Sequence, residues 1–138
     1  MKKHIFVDID TQNDFILNNG ALTAKAEEII PALGRLTDFA RENGIPILSS
    51  QDTHIHDDPE FRHFPPHCVK GTSGYEKAAS TILPDALKIG IKNEGIDWKS
   101  KIAEHGQLIF EKNNLDIFTN PNFENIVHDS DADQFVVY

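Results

Sequence analysis

HIFVDIDTQNDF, residues 4–15, is the stretch whose reading decides the fold. Its first half, His4 to Ile9, is short, β-branched and aromatic, the pattern of a buried strand. Its second half turns polar at once. Asp10 stands at the strand exit, where partial shielding from water suits a carboxylate to general-base work. A turn or helix cap is the competing reading of Asp10.

Outward from this stretch, strands and helices alternate. Ala24 to Asn43 has helical spacing, with Ile29, Ile30, Leu33, Leu36, Phe39 and Ala40 as its apolar stripe, Thr23 as N-cap and Gly44 as stop. Ile45 to Ser49 reads as a second strand. Glu76 to Leu83 and Asp97 to Glu104 read as short helices, and Ile89 to Ile96 between them shows no clear pattern. Gln107 to Glu111 is a third strand, Asn122 to His128 a helix after Pro121, and Gln134 to Tyr138 a fourth strand. Such alternation predicts one α/β domain over residues 1–138, with a parallel sheet and right-handed crossovers. Ligands of these sheets bind beyond the carboxyl ends of the strands. Asp10, Asp52 and Lys112 follow the first three strands and are therefore expected at one edge.

Composition narrows the function classes. The 138 residues are 39% hydrophobic and 25% charged, an ordinary globular balance. A net charge of −9 argues against nucleic acid or an anionic membrane as partner. No apolar stretch is long enough to span a bilayer, and the apolar part of HIFVDI is too short for a signal-peptide core. The single cysteine excludes an internal disulfide and fits a reducing, cytoplasmic setting. The apolar QFVVY at residues 134–138 is expected to leave an open sheet edge.

The chemistry concentrates in DTHIHDDPEFRHFPPHCVKGT, residues 52–72. It holds four of the seven histidines, His54, His56, His63 and His67, together with Asp52, Asp57, Asp58, Glu60 and Cys68. Imidazole and carboxylate are ligands for divalent zinc, iron or manganese. Asp52 and His54, two apart on extended backbone, point the same way. Glu60 and His67 could complete a set of two imidazoles and two carboxylates, with His56 and His63 as rivals and a solvated polar loop as the competing reading. Lys112 at a strand end suits anion or thiolate stabilisation, against the plain alternative of a surface lysine. Cys68 beside His67 invites a Cys–His nucleophile, but neighbours on an extended chain point apart, and a half-buried structural cysteine fits better. His4, His105 and His128 read as surface or edge residues. Trp98 and most phenylalanines read as core, and Phe15 and Phe64 as walls of an aromatic-binding pocket.

Taken together, these residues resemble the isochorismatase-like cysteine hydrolases, and among them the metal-containing nicotinamidases. DTQNDF at Asp10–Phe15 looks like the family's catalytic-aspartate motif. Asp52-x-His54, Glu60 and PPHCVKGT at Pro65–Thr72 resemble the metal segment, and Lys112 before DIF the catalytic-lysine motif. The resemblance implies a doubly wound, Rossmann-like three-layer fold with the four predicted strands ordered 3-2-1-4. It implies a divalent metal, zinc first with iron or manganese as alternatives, on Asp52, His54, Glu60 (or His63) and His67. It also implies a small amide substrate, a homo-oligomer and hydrolysis of nicotinamide through a cysteine thioester, with Asp10 taking the thiol proton and Lys112 favouring the thiolate. Cys68 matches the family's other, non-catalytic cysteine. The nucleophile's turn after the fourth strand would fall just past Tyr138, so this chain is expected to be an N-terminal portion, lacking the last strands and helices and inactive alone. Two alternatives are a family hydrolase of another small substrate and a non-catalytic metal- or ligand-binding protein on the same scaffold.

Overall fold

Five parallel strands form one sheet in the computed structural model, which describes residues 2–138. The strands are β1 (His4–Asp8), β2 (Ile47–Asp52), β3 (Leu87–Ile89), β4 (Gln107–Lys112) and β5 (Gln134–Val137), in the order β3-β4-β2-β1-β5. The helices are α1 (Asn13–Ile16), α2 (Ile30–Glu42), α3 (Trp98–His105) and α4 (Glu124–Asp129). The four expected strands stand in the expected 3-2-1-4 order. The sequence reading missed β3, which pairs with β4 at the sheet edge through Leu87↔Leu108 and Ile89↔Phe110. Three residues are too few to carry a period-two signal.

β2 and β4 are buried at every position, as central parallel strands must be. Ile5, Val7, Leu48, Leu108 and Phe110 pack on one face with Ile117, Phe123 and Ile126. Phe6, Ala40, Ile47 and Leu83 pack on the other, under α2. Each of these side chains apart from Ala40 contributes about 1.5–3 kcal/mol by leaving water. Phe39 (52% exposed) and Phe118 (49%) lie outside this core, contrary to their reading as core residues, and Phe64 (43%) lies outside it as expected.

Two helix expectations need correction. Ala24–Asn43 divides into a 3-10 turn at Glu27–Ile29 and α2 proper, with Pro31 in the first turn of α2. Thr23 caps nothing there, because its hydroxyl accepts from Lys25 N. Ile29 is exposed with Phe39, so the buried stripe is Leu33, Thr37 and Ala40. Glu76–Leu83 is not a helix but a strap with one 3-10 turn, Ala79–Thr81. Its backbone is spent on the loop after β1: Asn13 N donates to Glu76 O, Ala78 N donates to Thr11 O, and Gln12 and Lys77 bridge antiparallel. α3 meets its expectation, with Asp97 capping Ser100 N and Gly106 closing the helix at φ 71°. No helix among the described residues is long and apolar enough to cross a membrane.

Candidate functional site

β1, β2 and β4 bring Asp10, Asp52 and Lys112 together at the carboxyl edge of the sheet. β2 and β4 are paired Asp52↔Lys112, so these two side chains leave adjacent strands side by side. The Lys112 ammonium lies 3.0 Å from Asp10 Oδ2 and 3.4 Å from Asp52 Oδ1, and it donates to Asn114 O at 3.0 Å. Its side chain is 3% exposed, which removes the surface-lysine alternative. Asp10 has left the strand, with φ 49°, a conformation aspartate tolerates better than most residues. Ser50 holds it twice. The Ser50 hydroxyl donates to Asp10 Oδ1 at 2.6 Å and accepts from Asp10 N at 2.9 Å.

Asp52 is the hub of the site. While Oδ1 faces Lys112, Oδ2 lies 3.0 Å from His54 Nε2 and 3.4 Å from His67 Nε2. The outer nitrogens of both rings are engaged: His54 Nδ1 with Asp58 Oδ2 at 2.9 Å, and His67 Nδ1 with Pro65 O at 2.8 Å. A carbonyl oxygen only accepts, so His67 carries its proton on Nδ1 and turns the Nε2 lone pair inward. Asp58 selects the same tautomer for His54. Three donor atoms of Asp52, His54 and His67 thus lie within 4.8 Å of one another in a buried place. Two imidazole nitrogens and one carboxylate oxygen are a fit set for a zinc-class divalent cation. In the metal-free protein, burial works against charge on the His54 ring. Asp58 and Asp52 outweigh it and raise the His54 pKa.

Glu60 is not brought into this cluster. It belongs to the 3-10 turn Pro59–Arg62, where Asp58 Oδ1 accepts from Glu60 N at 2.9 Å, and it groups with Asp58 and His54 instead. The rivals His56 and His63 are exposed. Phe15 and Phe64 do stand at the site, with ring centroids 5.6 and 6.3 Å from that of His67. Sequence reasoning missed Phe61, which lies 5.3 Å from His54 and 5.7 Å from His67.

It also missed the supports. Fully buried Gln12 clamps the Asp52 backbone, donating to Asp52 O at 2.8 Å and accepting from Asp52 N at 2.7 Å. Asp14 Oδ2 accepts from Cys68 N at 2.8 Å, fixing the chain beside His67. Gly74 has to be glycine here, because the Asp14 carboxylate occupies the place of its Cβ. Cys68 is fully buried, with φ 45°. Burial first, then the carboxylates of Asp52, Asp14 and Asp10, push its thiol pKa far up against the weaker pull of Lys112. A thiol so held stays protonated and is a poor nucleophile. A groove at the opposite edge of the sheet, lined by Arg41, Pro46, Leu83 and His105, holds no comparable constellation.

The isochorismatase domain matches residues 4–138. The isochorismatase family protein PncA of Bacillus subtilis, itself described as uncharacterized, is 39% identical over 79 residues, covering 54% of this chain. That match spans only 43% of the curated relative's length. The crystal structure of nicotinamidase/pyrazinamidase PncA from Bacillus subtilis superposes with a TM-score of 0.72 at 29% identity, over 99% of this chain and 70% of that one. N-carbamoylsarcosine amidase from Thermoplasma acidophilum superposes with a TM-score of 0.67 at 25% identity, over 99% and 66%. With its domain match running from His4 to Tyr138 across the whole parallel sheet, the chain belongs to the isochorismatase family.

Proposed function

We propose that this chain carries the metal-binding and proton-handling part of a nicotinamidase-type amidohydrolase, which converts nicotinamide to nicotinate and ammonia through a cysteine thioester. The observation that carries the reading is the divided carboxylate of Asp52. One oxygen faces the Lys112–Asp10 pair and the other faces His54 and His67. A proton-transfer centre and a cation site thus share one buried group, so a small substrate could meet both at once.

In this reading Asp10 takes the proton of the attacking thiol, aligned by the Ser50 hydroxyl. Lys112, set between the two carboxylates, favours the thiolate and the charge that develops on the substrate. Asp52, His54 and His67 would hold the divalent ion, and three protein donors leave positions open for ligand. The bound ion supplies a Lewis-acidic anchor for a pyridine nitrogen. Phe15 and Phe64 offer flat apolar surface to the ring. Buried and held protonated, Cys68 does not meet the need for a nucleophile in this reading.

A related hydrolase of another small amide is the second reading, favoured by the likeness to N-carbamoylsarcosine amidase. The protein loaded with cobalt(II) and titrated with nicotinamide separates the two. The visible cobalt bands are expected to shift with nicotinamide and not with benzamide, which lacks the ring nitrogen. Absence of stoichiometric metal, or equal responses to both amides, rejects the nicotinamidase reading. Ammonia release by the 138-residue protein that Cys68→Ser abolishes would reject the assignment of the thiol.

A further inference from the structure

Asp8 and Lys77 form an ion pair at 3.0 Å in which both side chains are 0% exposed. Neither belongs to the network of Asp10, Lys112 and Asp52. Burying such a pair costs much of what the attraction returns, and replacing it with apolar groups of like volume is often neutral for stability. Asp8 Oδ1 moreover has no hydrogen-bond partner among the described residues, so the pair is not arranged for maximal stability. What it does follows from the ladder beside it.

β1 and β2 pair in parallel with Phe6↔Ile47 and Asp8↔Ser49, and Phe6 N donates to Pro46 O. Parallel pairing repeats every two residues, so its continuation would bring Asp10 N to Ser50 O. The chain departs there. Asp10 turns to φ 49°, and its N–H goes to the Ser50 hydroxyl instead. Ser50 is fully buried, so its carbonyl would lose its partner at a real cost. Lys77 Nζ fills the place, 3.0 Å from Ser50 O. Lys77 is delivered by the Glu76–Leu83 strap, hydrogen-bonded to the loop after β1 through Glu76 O and Ala78 N. Asp8 Oδ2 neutralises it and also accepts from Ser49 Oγ at 3.0 Å.

We propose that Lys77 is a positioning residue. Its ammonium replaces the backbone donor that β1 gives up at Asp10, and so fixes Ser50, whose hydroxyl aims the Asp10 carboxylate at Lys112. Asp8 is present to neutralise Lys77. The consequence for catalysis rests on the reading of Asp10 as proton acceptor. The placement itself does not, and it is tested without any activity.

The test is amide hydrogen exchange by NMR on the 138-residue protein and on the double variant Asp8→Val/Lys77→Met, which removes both buried charges together. The variant is expected to remain folded, with core amides such as those of Leu48 and Phe110 keeping their wild-type protection. The Asp10 amide is expected to exchange about ten-fold faster or more, a local opening that a change in global stability would spread over all amides alike. Unchanged exchange at Asp10 overturns the proposal. So does a uniform loss of protection, failure of the double variant to fold, or a wild-type Asp10 amide without protection. Failure of nicotinamide to bind would reject the proposed substrate and leave this result standing.

Discussion

Asp58 is the residue on which the metal reading can be tested most sharply. It does two things with two oxygens: Oδ2 accepts a hydrogen bond from His54 Nδ1 at 2.9 Å, and Oδ1 accepts from Glu60 N at 2.9 Å. Asp58→Ala removes both. The His54 ring is 0% exposed, so no bulk water replaces the lost acceptor. The ring is then free to carry its proton on Nε2, the atom the ion needs. Loss of such an outer partner costs about 10–100-fold in metal affinity, or about 1.4–2.7 kcal/mol. The lost cap costs about 0.5–1 kcal/mol of folding stability, the low end of the range because the turn is short. Asp58→Asn is expected to fall between, since an amide can accept at only one of the two places. The assay is zinc competition against a chromophoric chelator at pH about 7.5, with chemical denaturation run in parallel. Zinc affinity in Asp58→Ala within about two-fold of wild type, with Asp52→Ala clearly weakened, would refute the claim that Asp58 sets the His54 tautomer.

Two further outcomes follow from charge and burial. The His54 pKa is raised in the metal-free fold, above an unfolded value of about 6.5, so its stabilising charge is fully present below that pH and is lost as pH rises through the folded pKa. Melting temperature in excess chelator is therefore expected to fall as pH climbs from about 6.5, while zinc affinity rises over the same window; an unchanged slope in His54→Gln would sink this assignment. The buried Cys68 thiol, its pKa far above the usual value, is expected to resist alkylation in the folded protein at pH about 8 and to react fully in denaturant. Rapid labelling without unfolding would show that the thiol is open.

Residues whose signal is local were legible in the chain. Asp10 and Lys112 stand just past apolar runs, and an alternating α/β order carries such positions to one edge whatever the loops between them do. Asp52 and His54 needed only the two-residue period of extended chain. The polar supports gave no such sign. Gln12 is polar in a polar motif, and nothing in its neighbours says that it clamps Asp52, forty residues on. Ser50 sits in a strand where a serine usually marks nothing. Glu60 was expected as a ligand, with His56 and His63 as rivals, but the 3-10 turn at Pro59 aimed Asp58 at His54 and left Glu60 outside the Asp52–His67 cluster.

By itself, then, with the strand order supplied by the family resemblance, the sequence determined the parallel α/β class and the edge at which the chemistry gathers. These follow from hydrophobic periodicity and the handedness of crossovers, which act over a few residues and tolerate variation elsewhere. Only the tertiary structure decided that residues 76–83 form a strap instead of a helix, that Leu87–Ile89 adds a fifth strand, and that the Asp52 carboxylate joins the Lys112–Asp10 pair to two histidines. Those outcomes depend on hydrogen-bond partners distant in sequence, which compete with local preference for the same backbone and side-chain groups. When the distant partner is buried and the local one would face water, the distant one prevails.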